Sequence, residues 1–476
     1  MRRRQFLGTL VAGALMPAAV QPGARRPAPR RRRPNIVFVF ADQWRAQATG
    51  YAGDPNVITP NLDRLAEHSV QFTHAVSGCP VCSPYRASLM TGQYWLTHGV
   101  FVNDVCLNLK AVTISQVLDD AGYVTAYIGK WHLDGHGRSA FIPRERRRGF
   151  HFWKTMECTH DYNNSFYYAD EPVKLKWDGY DAVAQTQEAQ RYIQGHSGER
   201  PFALFLSWGP PHDPYGTAPE EFRKLHDPQA IRLRPNVPQE CAEKARKDLA
   251  GYYAHISALD PCIGELLRTI KETGIEDNTV FVFTSDHGDL LYSLGRQKKQ
   301  QPFEESIRVP FLLRYPEGLG NEPRAVDTLL NTPDIMPTLL GLCGIKPPPS
   351  VEGADFSSPL LRGKTPHAEA ALLMCPAPFG NWPRKIGGRE CRGIRTRQHT
   401  YVRDLNGPWL LYDNERDPSQ LDNLCGRPEH ADLQKHLDEI LKKRLQETHD
   451  EFRPADDYLK AWGYKVDETG AVPYTQ

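Results

Sequence analysis

The residues with the most chemical potential lie in one stretch, Gly78-Cys79-Pro80-Val81-Cys82-Ser83-Pro84-Tyr85-Arg86-Ala87-Ser88-Leu89-Met90-Thr91-Gly92. Pro84 suits the first turn of a helix, where its missing N–H is not needed, and Gly92 suits the exit. Cys82 then stands at a helix N-terminus, with backbone N–H groups pointing at whatever approaches it. Arg86 falls one turn further on, on the same side. Such a site suits a tetrahedral oxyanion. Taken alone, a structural cysteine on a turn is the plainer alternative. Cys79-x-x-Cys82 also has the spacing of a redox pair or half a zinc site, but no second C-x-x-C is present to complete a zinc site.

The elements that must position this stretch are legible around it. Residues 35–40 form an unbroken apolar run, read as a buried parallel strand ending at Asp42 and Gln43. A capped helix is expected from Thr59 to Ala66, another over 113–122, and a strand over 123–128 that leads to Lys130 and His132. Residues 135–180 read as an irregular surface insertion. Then follow a helix over 182–194, a strand over 201–208 leading to His212, a long helix over 249–273, and a strand over 280–284 leading to Asp286 and His287. A further strand is expected over 308–315. Strands alternating with helices predict a mostly parallel sheet between helices, an α/β fold. Asp42, Lys130, His132, His212, Asp286 and His287 all follow C-terminal strand ends, the edge where open α/β sheets bind ligands. After about residue 365 short strands at 393–396, 400–403 and 410–413 and a charged helix over 431–449 indicate a smaller α+β subdomain. The expected division is 1–33 as leader and linker, 34–365 as catalytic domain and 366–476 as C-terminal subdomain and tail.

Asp42, Gln43 and Asp286 offer hard oxygen ligands from two strand ends, and His287 adds a nitrogen. Several oxygens favour calcium or magnesium; the histidine keeps manganese or zinc open. Helix capping is the plainer role for the two aspartates. Lys130, Arg86 and a lysine at 298 or 299 could neutralise an oxyanion, and His132 and His212 could move protons near neutral pH.

The rest of the composition narrows the class. The 476 residues carry a net charge of +1, so no global field for nucleic acid exists. Mean hydropathy is −0.55, and no stable membrane insertion is expected of the mature chain. Arg2-Arg3-Arg4-Gln5-Phe6-Leu7 ahead of an apolar run to Val20 has the shape of a twin-arginine signal peptide, and an Arg/Pro-rich linker follows it. Export to the periplasm or beyond is therefore expected. Ten cysteines, scattered from Cys79 to Cys425, make no small-domain disulfide framework.

Cys82-Ser83-Pro84-Tyr85-Arg86 with Leu89-Met90-Thr91-Gly92 resembles the signature of the type I, formylglycine-dependent sulfatases. The resemblance extends in order through Gly129-Lys130-Trp131-His132, Pro211-His212, Ser285-Asp286-His287-Gly288 and the segment from Glu304 to Pro310. It implies an alkaline phosphatase-like fold and conversion of Cys82 to formylglycine (3-oxoalanine) by a maturation enzyme. The hydrated aldehyde would attack sulfur with one hydroxyl; loss of the proton from the other would re-form the carbonyl and release sulfate. A plain serine ester would lack this exit. The resemblance further implies that Asp42, Gln43, Asp286 and His287 hold a divalent metal, usually calcium, which binds the diol grown from Cys82. Arg86 and Lys130 would stabilise the diol, His132 would take its second proton, and His212 and Lys299 would contact sulfate and the leaving oxygen. Lys299 is preferred over Lys298 because it directly precedes Gln300-Gln301-Pro302. Gln43, His287 and Tyr85 depart from residues common at those places: Asp, Asn and Ser.

The expected substrate is a sulfated carbohydrate, such as an algal polysaccharide fragment or a glycosaminoglycan unit. The segment Glu157 to Tyr168, His136, Arg138 and Asn381-Trp382-Pro383-Arg384 are candidates for its rim. A phosphonate or phosphate diester hydrolase of the same fold, and a non-catalytic carbohydrate-binding protein, are the alternatives.

Overall fold

The computed structural model describes Gly8, residues 32–198 and residues 200–474. The leader-like stretch read over 1–33 lies almost wholly outside the described residues. No described helix is long and apolar enough to cross a membrane.

The first apolar run forms strand β1 (Asn35–Asp42), buried at every residue. Ile36, Phe38 and Phe40 enter one hydrophobic layer; Val37, Val39 and Ala41 enter the other. A strand covered on both faces must be apolar on both, which is why it reads as a run and not an alternation. The other strands are β2 (Val70–Val76), β3 (Val124–Lys130), β4 (Phe152–Met156), β5 (Phe166–Tyr167), β6 (Leu175–Lys176), β7 (Phe202–Pro211), β8 (Thr279–Ser285), β9 (Phe311–Arg314), β10 (Arg324–Asn331), β11 (Ala371–Cys375), β12 (Cys391–Arg395), β13 (His399–Asp404) and β14 (Gly407–Asp413).

Eight strands build the large sheet in the order β10-β2-β9-β8-β1-β7-β3-β4. β1 lies at its centre, with Phe38 opposite Phe205 of β7 and Val282 of β8. Neighbours run parallel, except that β9 is antiparallel to β2 and β8. One face is covered by helices Asp181–His196 and Ala242–Glu272, the other by Cys82–Thr91, Ile114–Asp120 and Thr332–Leu342.

The supposed insertion over 135–180 needs correction. Its residues Phe152–Met156 are β4, paired in parallel with β3 at the sheet edge, and β5 and β6 form a short hairpin. The aromatics there are largely structural: Trp153 packs against Tyr127 and Trp131.

The small sheet, β11-β12-β13-β14, is antiparallel throughout. Its Ile394, Tyr401 and Leu411 belong to the same buried cluster as Phe38 and Phe205. A buried ion pair also ties it to the segment leading into β9: Arg395 of β12 donates to Glu304 at 2.9 and 3.2 Å, and both side chains are only 3 % exposed. Burial alone would raise the Glu304 carboxyl; Arg395 and Arg308 outweigh it and hold the group at about 2. A depressed carboxylate contributes stability above its unfolded value, near 4.5, and that contribution is lost as pH falls through about 2. Arg395→Met is expected to lower unfolding free energy at pH 7 by about 3 kcal/mol. Denaturant titrations at pH 7 and pH 3 should find the gap between wild type and variant smaller at pH 3. A gap independent of pH would refute the assignment.

Candidate active site

The C-terminal edge of the large sheet gathers the predicted residues. Asp42 ends β1, Lys130 ends β3, His212 follows β7, and Asp286 and His287 follow β8. Val81, in extended backbone, caps helix Cys82–Thr91, so Cys82 is its first residue; Gly92 exits in the left-handed region at φ 65°. Pro84 sits in the first turn, as its chemistry dictates. Tyr85 is buried in the core.

Around Cys82 the cations converge. Lys299 Nζ lies 3.2 Å from Cys82 Sγ and 2.9 Å from Gln43 Oε1. Lys298 points elsewhere, pairing with Asp213 at 2.6 Å, so the two adjacent lysines divide cleanly. Lys130 Nζ meets Asp42 Oδ2 at 2.7 Å. Arg86 reaches both Asp42 (3.2 Å) and Asp286 (3.3 Å). Burial and Asp42 would raise the Cys82 thiol, but Lys130, Lys299 and His287 hold it well below its usual value. The site thus favours negative charge at the position of Sγ.

The four ligand atoms of Asp42, Cys82, Asp286 and His287 all lie within 4.8 Å of one another. His287 Nε2 is 3.3 Å from Sγ, 3.4 Å from Asp286 and 3.6 Å from Asp42. The carboxylates respond in opposite directions. Against the cost of burial, Asp42 is held well below the usual range by Lys130 and other neighbouring cations, whereas Asp286 is pushed to about 6 by burial and by the charge of Asp42. Two fully buried carboxylates with a facing imidazole and amide oxygen are a donor set that fits a divalent cation.

Gln43 has φ 73° and donates its backbone N–H to Asp286 Oδ1 at 3.0 Å. Its Nε2 donates to Asp289 Oδ2 at 2.6 Å. Asp289 also accepts from the Tyr215 hydroxyl and from the N–H groups of Leu291 and Lys298. An acceptor-only carboxylate takes the NH2 end of the amide, so Oε1 is the end that faces Lys299, whose ammonium also reaches Cys82. Asp289 closes the Ser285-Asp286-His287-Gly288-Asp289 run, so a signal for it existed.

The two histidines are held differently. His132 (φ 59°) meets Asp104 Oδ1 through Nε2 at 3.1 Å, and its buried Nδ1 has no hydrogen-bond partner. Burial would lower its pKa; Cys158 and Asp104 raise it to about 9. His212 Nδ1 bonds the Asp213 carbonyl at 2.9 Å, leaving Nε2 free. Burial and Lys299 depress its pKa well below normal. The His160 ring stacks on His212 with centroids 4.4 Å apart. Asp104 and Asp213 carried no sequence signal.

Of the rim candidates, Arg138 does approach, forking Asp104 at 2.9 and 2.8 Å. His136 pairs with Asp134 and is half exposed. Trp382 is buried beside the small sheet and Arg384 pairs with Glu390, so neither faces the site. A separate groove of about 760 Å³, lined by Arg64, His68, Glu265, Arg268 and Asp277, lies at the opposite edge of the sheet and holds none of these residues.

A parallel α/β sheet whose strand ends cage an anion-stabilising residue with cations and a metal-ligand cluster defines an oxyanion-handling hydrolase of the alkaline phosphatase-like type. Residues 34–345 match the sulfatase family, and residues 295–448 match the C-terminal region of N-sulphoglucosamine sulphohydrolase. An ulvan-active sulfatase of Formosa agariphila is 44 % identical over 449 residues, covering 93 % of this chain and 87 % of that protein. An endo-4-O-sulfatase of Bacteroides thetaiotaomicron is 30 % identical, covering 82 % and 88 %. A solved structure concerned with glycosaminoglycan metabolism in the same bacterium superposes with a TM-score of 0.81 at 28 % identity, over 90 % of this chain and 99 % of that one. The chain belongs to the sulfatase family, and it is a sulfuric ester hydrolase.

Proposed function

We propose that this enzyme removes sulfate from a sulfated polysaccharide or its oligosaccharides, with an algal polysaccharide such as ulvan the first substrate to try. The observation that carries the reading is the cage around Cys82: Lys299 at 3.2 Å, with Lys130 and Arg86 anchored on Asp42. The 44 % identity to an ulvan-active sulfatase supports the substrate class. A separate maturation enzyme oxidises Cys82 to formylglycine, with sulfur leaving and an aldehyde oxygen taking its place. Hydrated, that group supplies a hydroxyl to attack sulfur and a second one whose deprotonation releases sulfate. Asp42, Gln43, Asp286 and His287 hold a divalent cation, calcium by the preference of the oxygens, which supplies Lewis acidity.

The chain's own residues divide the remaining work. Lys130 and Arg86 offset charge at the position of Sγ. Asp104 occupies Nε2 of His132, so Nδ1 is the position that exchanges a proton; with the ring raised to about 9, it takes one there only after giving up its own. Lys299 binds a sulfate oxygen, and that oxygen's charge offsets the ammonium that, after burial, does most to depress His212. His212 can then carry a proton at Nε2 to the departing alcohol oxygen. Twin-arginine export of the folded chain, removal of the leader within 1–33, and the division at 365/366 complete the proposal.

The test compares matured enzyme on 4-nitrophenyl sulfate and bis(4-nitrophenyl) phosphate. The expected result is faster turnover of the sulfate. A faster phosphate diester would overturn the reading in favour of a diester hydrolase. No turnover of either, with sugar binding retained, would favour a binding protein.

A further inference from the structure

The chain after helix Ala455–Trp462 returns toward the active site. A turn is closed by Asp467 N–H to the Ala471 carbonyl (2.8 Å) and Gly470 N–H to the Asp467 carbonyl (3.0 Å). Gly380 N–H donates to the Thr469 carbonyl at 3.1 Å. Gly470, at φ 76°, packs so closely on the Pro378–Phe379 backbone that a Cβ would fall 2.6 Å from the Pro378 oxygen. Phe379 in turn exchanges two hydrogen bonds with the Gln300 amide, at 3.2 and 2.7 Å. Gln300 adjoins Lys299, whose ammonium lies against Cys82.

Four residues beyond Gly470, the tail meets the other side of the site. Arg138 Cζ sits 3.5 Å from the centroid of the Tyr474 ring. The same guanidinium forks Asp104, which holds His132. The partly exposed groups that touch the buried site include Arg138, Asp213 and Lys298 (21–33 % exposed), and they mark where it opens. One short segment thus runs from the backbone packed on Gln300, the neighbour of Lys299, to Arg138 at that opening. The segment is tied at Gly380, Phe379 and Arg138, yet Tyr474 keeps 40 % of its surface exposed. An aromatic ring with a hydroxyl edge, fixed from one side and open on another, is suited to a sugar ring.

We propose that residues 467–474 form a fixed wall of the substrate mouth, with Tyr474 a specificity-determining residue that carries a sugar ring of the sulfated oligosaccharide. The proposal rests on the carbohydrate sulfatase reading. The tail acts on the sugar and leaves sulfur chemistry to the caged residues, so its removal weighs most on large substrates.

Two measurements on the full chain test it. Binding of sulfated ulvan oligosaccharides to the Cys82→Ala protein is read by calorimetry, with and without Tyr474→Ala. Tyr474→Ala is expected to weaken binding about tenfold, and Tyr474→Phe, which keeps the ring, to recover most of that loss. In matured enzyme, Tyr474→Ala is expected to raise KM for the oligosaccharide by a similar factor, at least fivefold more than for 4-nitrophenyl sulfate. Unchanged oligosaccharide binding, no binding by either protein, or equal losses on both substrates would overturn the proposal. Failure of the sulfatase reading looks different: the unmutated matured enzyme would release no sulfate from either substrate.

Discussion

Cys82→Ala is expected to abolish sulfate release, by at least about 10⁴-fold, while the folded structure survives. The contacts of the side chain explain both halves. Sγ is the point on which Lys299, His287 and Asp42 converge, at 3.2, 3.3 and 3.7 Å. No other side chain among the described residues occupies that point, so nothing can substitute for it. The fold does not depend on it in the same way. Helix Cys82–Thr91 is held by core residues such as Tyr85, Leu89 and Met90, and truncation removes one sulfur atom at its first position. Loss of stability should stay near 1 kcal/mol. Sulfate release and thermal unfolding on the same preparation check both halves. Peptide mass spectrometry of the active enzyme should find an aldehyde at Cys82. Full activity from protein carrying only the thiol would sink the proposed chemistry.

Replacing Asp42 should damage stability as well as activity. Its carboxylate is fully buried and is shared by Lys130 and Arg86. Asp42→Ala leaves Lys130 buried beside Lys299 without its main counter-charge and Arg86 with Asp286 alone, a class of change that costs about 3–5 kcal/mol. Asp42→Asn keeps the shape and should cost less, but it removes a hard anionic ligand. Chelation with EDTA should therefore lower the melting temperature of the wild type and have little effect on Asp42→Asn. An equal effect of EDTA on both proteins would remove Asp42 from the ligand set.

The legibility of the fold followed burial. β1, β7 and β8 announced themselves because both faces of a central parallel strand must be apolar. β2 and β10 gave a weaker pattern, with polar residues such as Thr73, His74 and Asp327 interrupting them. β4 was hidden because an edge strand tolerates a charge: Lys154 pairs outward with Glu188. The direction of β9 is a property of its neighbours, not of its residues. The site followed the same logic. Residues at strand ends could be found because topology brings strand ends together. Their partners Asp104 and Asp213 became visible only as contacts, since a carboxylate that orients an imidazole leaves no spacing of its own; Asp289 stood in the run after β8, but its hold on the Gln43 amide did not. Lys298 and Lys299 were separated by backbone: Lys298 (φ 64°) and Gln300 (φ 73°) turn the chain so that adjacent side chains diverge.

The helix start that makes Cys82 a good anion site also hides it. Only 2 % of the residue is exposed, and helix, sheet edge and three cations enclose it. A second enzyme cannot insert its own catalytic groups into that enclosure. Any enzyme that modifies Cys82 must therefore act while the stretch from Gly78 to Gly92 is still an open peptide. If Cys82 is converted as proposed, folding sets a deadline: a molecule that closes too early is sealed as a well-folded but idle protein. The fraction of active molecules becomes a race between two rates, fixed before the finished chain meets its first substrate.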